Sequence, residues 1–184
     1  MAIPDGGPLS TIGRKRGYKS MERTTGPSLM GEIFKITAER GYRHFFYGSK
    51  QETLDLLKQK LNENYPGIQI VGMYSPPFRP LTDEEDKTVI RMINDAKADF
   101  VWVGLGAPKQ ENWMASHQGM VKGFVVGVGA GFDYFAGNIE RAPEWMQKRN
   151  LEWVYRLIQD PKRLFYRYFH TNTSFIWNAM IRGK

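Results

Sequence analysis

The stretch FVWVGLGAPKQE, residues 100–111, places a fully apolar strand directly before a glycine turn and a helix start. A second stretch of the same kind, GFVVGVGAGFD, follows at residues 123–133. Outward from these two stretches, shorter apolar runs occur at residues 44–47 and 68–71, with amphipathic helical patterns between them. Strands that are apolar throughout and alternate with helices are typical of a parallel sheet covered on both faces. The sequence therefore predicts a Rossmann-like α/β fold.

Short polar signals mark the helix starts in this part of the chain. One helix is predicted over residues 27–41. Ser49 with Glu52, and Thr82 with Glu85, have the spacing of a capping box, in which the hydroxyl and the carboxylate satisfy backbone N–H groups. Each pair therefore predicts the start of a further helix.

The strand–helix alternation ends after Gly131. Residues 144–158 are predicted to form one helix, because apolar and aromatic side chains recur there at helical spacing. Asp160 followed by Pro161 then marks the start of another helix. We therefore divide the chain into an α/β core, residues 1–140, and a basic, aromatic, helical C-terminal appendage, residues 141–184.

The composition excludes several kinds of site. The 184 residues include no cysteine, so disulfides, thiolate metal sites and thiol nucleophiles are excluded. The three histidines lack metal-ligand spacing and no D-x-D triplet occurs, so we expect neither a metal nor another cofactor. No apolar run reaches the ~18 residues that cross a bilayer, and no signal pattern opens the chain. A cytoplasmic location is the resulting expectation.

The net charge of +7 is concentrated at the two ends of the chain. Residues 1–30 carry five basic and two acidic side chains, and residues 141–184 carry nine basic and three acidic ones. Residues 31–140 are nearly balanced, with twelve basic and fourteen acidic side chains. Basic ends of this kind indicate an anionic partner, whether phosphate groups, a membrane surface or nucleic acid. A solubilising surface explains the charge equally well.

The two glycine turns are candidate ligand sites, because open parallel sheets bind ligands at the carboxyl ends of their strands. Glycine lets the backbone approach a ligand, and a helix N-terminus presents N–H groups to an anion such as a diphosphate. Spacing alone is also compatible with tight turns that bind nothing. The candidate binding residues are Gly104, Gly106, Pro108, Lys109, Gln110, Glu111, Gly127, Gly129 and Asp133.

Taken together with their neighbours, these segments resemble the WecG/TagA/CpsF family of glycosyltransferases. The resemblance rests on the order and spacing of G-A-P-K-Q-E, G-V-G-A-G-F-D, R-A-P-E-W and L-E-W-V-Y-R-L. Near the start, Pro4-Asp5-Gly6 is similar to the family's A-D-G motif, and the segment from Glu22 to Gly26 is similar to its E-R-x-x-G segment. The resemblance extends from about Ile3 to about Phe175.

The resemblance implies an inverting, metal-independent glycosyltransferase. Its donor would be a UDP-sugar carrying N-acetylmannosamine or a related hexose, and its acceptor a sugar on a polyprenyl diphosphate. The product would enter teichoic acid or another cell-surface polysaccharide, so the enzyme would work peripherally at the inner face of the cell membrane. The alternative is a non-catalytic remnant that binds the UDP-sugar without turnover. A nucleic-acid partner is not expected, and assembly into a homo-oligomer is left open.

Two departures from the family pattern concern the start of the chain. Members of the family usually carry a further segment before the A-D-G motif, whereas this chain begins almost at the motif. Pro4 also replaces the alanine of that motif. We therefore expect a shortened or divergent member of the family.

The resemblance also implies catalytic roles for two residues. Asp5 is the candidate general base that takes the proton of the acceptor hydroxyl. An aspartate before Gly6 also suits an ordinary turn. Arg23 is expected to hold the donor phosphate or to orient the nearby carboxylate, and an exposed charge is its alternative interpretation.

Further binding roles fall on residues of the helices. Gln110 is expected to hydrogen-bond the sugar or the uracil, and Asp133 to bind a ribose hydroxyl or to stabilise its glycine turn. Without a metal, the leaving diphosphate needs positive charge from the protein, which arginine supplies with bidentate geometry. The resemblance gives this role to Arg156, Arg163 and Arg167, which match arginines of the family's C-terminal appendage. A solvated or lipid-facing basic surface is their alternative interpretation.

Overall fold

The computed structural model describes residues 3–177, without the side chains of Arg163, Arg167, His170, Asn172 and Ile176. The helices within this range are α1 (Gly7–Lys15), α2 (Gly26–Ala38), α3 (Gln51–Asn64), α4 (Asp83–Asp95), α5 (Lys109–Ser116), α6 (Gly131–Ala136), α7 (Glu144–Lys148), α8 (Glu152–Gln159) and α9 (Pro161–Ile176). The strands are β1 (Arg43–Gly48), β2 (Gln69–Tyr74), β3 (Phe100–Gly104) and β4 (Phe124–Gly127).

The chain divides into two compact units. The α/β unit, Gly26–Glu140, contains the four strands and α2 to α6. The helical unit combines the residues up to Thr25 with those from Arg141 onward, and its described elements are α1, α7, α8 and α9. The α/β class and the mostly helical C-terminal part are thus confirmed, while the domain division at residue 140 stays a prediction.

The sheet of the α/β unit is parallel throughout, with strand order β2-β1-β3-β4. The connection from β1 to β2 runs toward one edge of the sheet, and the connections from β2 to β3 and from β3 to β4 run toward the other. The carboxyl ends of β1 and β3 therefore lie at a topological switch point, where open α/β sheets form a ligand crevice. Gly48 and Gly104 are paired neighbours at this point.

Helices cover both faces of the sheet, as the sequence predicts. Phe46 and Trp102 point to one face and pack against buried side chains of α2, α3 and α6. Phe45 and Val101, on the same two strands, point to the other face and pack against α4 and α5. Because successive residues of a strand point to opposite faces, strands covered on both sides are apolar at every position.

Two local predictions are wrong. Ser49 does not cap α3: the helix begins at Gln51 after Lys50, and Ser49 itself has a positive φ of 64°. The single helix predicted over residues 144–158 is divided into α7 and α8, with Asn150 between them at φ 59°. The capping box of Thr82 and Glu85 is confirmed, with both hydrogen bonds present.

Candidate functional site

Three strands of the α/β unit end in glycine at the carboxyl edge of the sheet: Gly48, Gly104 and Gly127. Gly48 has a φ of 122°, and a Cβ atom there would lie 2.7 Å from the carbonyl of Gly104. Only glycine therefore fits the end of β1 beside β3. Sequence reasoning named the other two glycines and missed Gly48, although it ends an apolar run in the same way.

Gln110 connects the two glycine turns that the sequence singled out. Its side chain is buried, and its Oε1 accepts a hydrogen bond of 3.0 Å from the backbone N–H of Gly129. Its Nε2 donates to Oε1 of Glu111 over 3.0 Å. A Cβ atom on Gly127 would come within 3.0 Å of the Gln110 amide, so this glycine makes room for the bridge. The structure thus brings the two turns together through one side chain.

The outer side of both turns is open. Gly106 and Gly129 have φ values of 77° and 55°, and a Cβ atom at either position would meet no described atom within 4 Å. Pro108 occupies the N-cap position of α5, and Lys109 and Glu111 are exposed in the first turn of this helix. The two turns therefore leave backbone accessible from outside, and the helix that follows the first turn begins with an exposed ammonium group and an exposed carboxylate.

Asp133 is held in the first turn of α6 by its neighbours. Asn138 donates from Nδ2 to Oδ1 of Asp133 over 3.2 Å and to Oγ1 of Thr53 over 3.0 Å. The carboxylate thereby connects the glycine turn after β4 to the buried threonine of α3. This arrangement suits the turn-stabilising role considered for Asp133, and its contact with a ribose stays a prediction.

The helical unit holds the candidate base. Nε of Arg23 donates to the backbone carbonyl of Asp5 over 2.7 Å, and the N–H of Thr24 donates to the carbonyl of Pro4 over 3.1 Å. A second nitrogen of the Arg23 guanidinium, Nη2, forms an ion pair with Oε2 of Glu152 at 2.7 Å. The Asp5 turn is thus fastened to a helix that begins 147 residues later in the chain than Asp5 itself.

The charges around Asp5 act in opposite directions on its pKa. Partial desolvation of the carboxyl raises the pKa of Asp5 above its usual 3.8, although the side chain still reaches solvent. Among the neighbouring charges, Arg23 lowers this pKa, Glu152 raises it and Arg156 lowers it. The net upward shift makes Asp5 a stronger proton acceptor than an ordinary surface aspartate.

Arg23 and Arg156 both lie close enough to Asp5 for their charges to lower its pKa. The side chains of the other two predicted arginines are not described. Arg156 lies one turn after Glu152 on α8. Arg163 and Arg167 belong to α9, and their side chains lie outside the described residues.

Glu152 is the residue of this cluster that sequence reasoning missed. The segment L-E-W-V-Y-R-L does contain a signal of a buried ion pair, because the carboxylate lies between two apolar residues and four positions before Arg156.

The described part of the chain contains neither a metal-ion cluster nor a membrane-spanning helix. No group of three or more histidine, aspartate or glutamate side chains is placed to hold a metal ion there. Of the helices within residues 3–177, none is both long enough and apolar enough to span a membrane.

A parallel sheet with glycine turns at a switch point places the chain among the open α/β folds, which bind ligands at the carboxyl ends of their strands. The sequence model of the Glycosyl transferase WecG/TagA/CpsF family matches residues 1–184, and the chain therefore belongs to this family.

Two curated relatives carry the name N-acetylglucosaminyldiphosphoundecaprenol N-acetyl-beta-D-mannosaminyltransferase. The protein of Bacillus subtilis (strain 168) is 34% identical over 163 residues, which is 88% of this chain and 61% of the relative. The protein of Staphylococcus aureus (strain MW2) is 35% identical over 143 residues, which is 77% of this chain and 54% of the relative. The chain thus spans somewhat more than half the length of these relatives.

Proposed function

We propose that this protein transfers a sugar, N-acetylmannosamine or a related hexose, from a UDP-sugar to a polyprenyl-diphosphate-linked acceptor. The product would serve the synthesis of teichoic acid or another cell-surface polysaccharide. The observation that carries the proposal is the Asp5 turn, whose backbone carbonyl is bound by Arg23 and whose carboxyl is influenced by the charges of Arg23, Glu152 and Arg156, in a member of this family. The names of the relatives support the acceptor class.

The proposed reaction is a single displacement that inverts the anomeric carbon. Asp5 accepts the proton of the acceptor hydroxyl while that oxygen forms its bond to the anomeric carbon. The bond from this carbon to the diphosphate oxygen breaks, and UDP leaves with the electron pair. Positive charge from arginine stabilises the leaving diphosphate without a metal, a role for which Arg156 is the described candidate.

The carboxyl edge of the α/β unit is the proposed nucleotide site. Its open glycine turns let backbone N–H groups approach phosphate oxygens, and Lys109 adds a positive charge. Gln110 supports the site, because its hydrogen bond with Gly129 fixes the position of one glycine turn relative to the other.

Exchanging both Gln110 and Asp133 for alanine is expected to weaken UDP binding at least about tenfold. Each loses hydrogen bonds worth roughly 1 kcal/mol that shape the turns or contact the ligand. Calorimetric titration with UDP measures the change. The matched control exchanges two exposed residues of the same kinds, Gln118 and Asp95, and should bind UDP normally. Equal binding by the Gln110 and Asp133 double variant and wild type would move the nucleotide site elsewhere.

We further propose that the protein works as a peripheral protein at the inner face of the membrane. Phe165, Tyr166 and Phe169 of α9 are 64%, 77% and 67% exposed. Large exposed aromatic side chains beside basic residues suit the headgroup region of an anionic bilayer.

Turnover with the lipid acceptor tests the proposed function directly. In anionic vesicles that carry polyprenyl-diphosphate-linked N-acetylglucosamine, we expect UDP release to require the acceptor and to continue in EDTA. The protein should also sediment with these vesicles and dissociate in high salt. A strict need for Mg²⁺ or Mn²⁺ would contradict the metal-independent mechanism. UDP-sugar binding without transfer would favour the non-catalytic alternative.

A further inference from the structure

Glu152 is the only carboxylate in the buried core of the described residues, with 6% of its surface exposed. A buried carboxylate is costly unless a positive partner and hydrogen bonds compensate for the lost water. Arg23 provides this partner at 2.7 Å, and its own side chain is only 22% exposed. The pair is therefore screened by solvent far less than the exposed ion pairs elsewhere on the chain.

The ion pair acts on Asp5 through geometry. Nε and Nη2 of Arg23 are engaged at the same time, one by the Asp5 carbonyl and the other by Glu152. Because the guanidinium is planar and rigid, fixing Nη2 on Glu152 also fixes where Nε meets the Asp5 turn. Loss of Glu152 would leave Arg23 free to swing toward the carboxylate or toward solvent.

The pair also acts on Asp5 through charge. Three described charges influence the Asp5 carboxyl: Arg23 on its own segment, and Glu152 and Arg156 on α8. The two arginines favour ionised Asp5 and make it a weaker base, whereas Glu152 opposes them and raises its pKa. Glu152 is thus the one acidic group among the three described charges around the candidate base, and it offsets the effect of the two arginines on the Asp5 pKa.

We infer that Glu152 is a positioning residue for Asp5, which fixes Arg23 against the Asp5 turn and offsets the charge of the two arginines. The carboxylate of Asp5 thereby keeps its position and its affinity for the acceptor proton. The inference rests on the proposed function, since it assigns Glu152 a part in the same proton transfer. Glu152 touches no reacting atom in this role and acts through Arg23 and Asp5.

The test compares Glu152→Gln with Glu144→Gln. Glutamine keeps the size of the side chain and can accept a hydrogen bond from Arg23, but it removes the charge. Glu144 is an exposed carboxylate of the same unit and pairs with Lys148 at 3.4 Å. Its exchange therefore also removes one negative charge, but outside the cluster of Asp5, Arg23 and Glu152.

In Glu152→Gln, kcat should fall about tenfold, less than the roughly 10²-fold expected from loss of a general base, with the KM for the UDP-sugar unchanged. The acid limb of the pH profile should move to lower pH, because Asp5 becomes a weaker base. Carboxyl NMR of Asp5 should show its titration moving in the same direction. The Glu144→Gln control should match wild type in all three measurements.

A purely structural ion pair predicts a different result. Glu152→Gln would then be less stable, with the Asp5 titration and the acid limb at their wild-type pH, and this outcome overturns the inference. If Glu152→Gln does not fold, Glu152→Asp is the deciding variant, because aspartate keeps the negative charge but shortens the side chain. A lower kcat with the acid limb at its wild-type pH supports the positioning role. A wild-type kcat overturns it. If wild type itself shows no turnover, the proposed function fails, while the NMR titration of Asp5 in Glu152→Gln still decides the influence of Glu152 on Asp5.

Discussion

The Asp5→Asn variant is expected to transfer sugar at least ~10²-fold more slowly than wild type, with UDP binding unchanged. Asparagine has nearly the same shape and leaves the carbonyl that Arg23 holds in place, so the turn should persist. It cannot accept the acceptor proton, however, so bond formation would leave a positive charge on the attacking oxygen. Steady-state kinetics with the lipid acceptor and calorimetry with UDP separate the two effects.

The pH dependence of turnover also tests whether Asp5 is the general base. Asp5 must be ionised to act, and its pKa is raised above 3.8, so the acid limb of the wild-type profile should lie above pH 3.8. Asp55→Asn is the matched control, because Asp55 is exposed on α3 and its partner Gln51 can bond asparagine equally well. A fully active Asp5→Asn enzyme would remove Asp5 as the base and make Asp133 the next candidate.

Acid is expected to destabilise the α/β unit by about 3 kcal/mol through His44 alone between neutral pH and pH 4. His44 is completely buried, with Phe100 and Trp102 stacked beside its ring. The indole N–H of Trp102 donates to Nδ1 over 3.1 Å, so the proton of neutral His44 is on Nε2 and faces Oγ1 of Thr37 at 3.0 Å. Burial lowers the pKa of His44 from 6.5 to about 4, against a weaker upward effect of Asp99.

The sign of this effect follows from proton uptake. Between pH 6.5 and about 4 the unfolded chain protonates its histidine, whereas the folded chain keeps His44 neutral. The unfolded state therefore gains stability as the pH falls, and the free energy of unfolding decreases. Well above pH 6.5 both states are neutral at this residue, and its contribution is constant.

Urea unfolding between pH 7 and pH 4 measures the effect, with His44→Gln as the comparison. Glutamine keeps a donor and an acceptor but does not titrate, so the difference between the two pH profiles isolates His44 from the carboxylates. The profile of the variant should be flatter by about 3 kcal/mol. Parallel profiles, or an NMR titration of folded His44 near pH 6.5, would contradict this account.

Parts of the fold could be predicted because they depend on neighbours in sequence. The apolar strands and glycine turns at residues 100–111 and 123–133 indicated the parallel sheet, since only strands covered on both faces need apolar residues at every position. The capping box at Thr82 was equally local. The same spacing at Ser49 was misleading, because the strand end at Gly48 packs against Gly104 and takes Ser49 through a positive φ before the helix begins.

The sequence by itself determined the class of fold, the family and the two glycine turns, because apolar periodicity and short motifs are properties of contiguous residues. Only the tertiary structure decided how the polar side chains pair. Gln110 bridges to Gly129 across 19 positions, and Arg23 pairs with Glu152 across 129. No local pattern specifies such partners, since each contact depends on the folded path of all the residues between them. From the sequence alone, Glu152 therefore resembles any other charged residue of a helix. In the structure it is the buried partner that holds Arg23 beside the Asp5 turn.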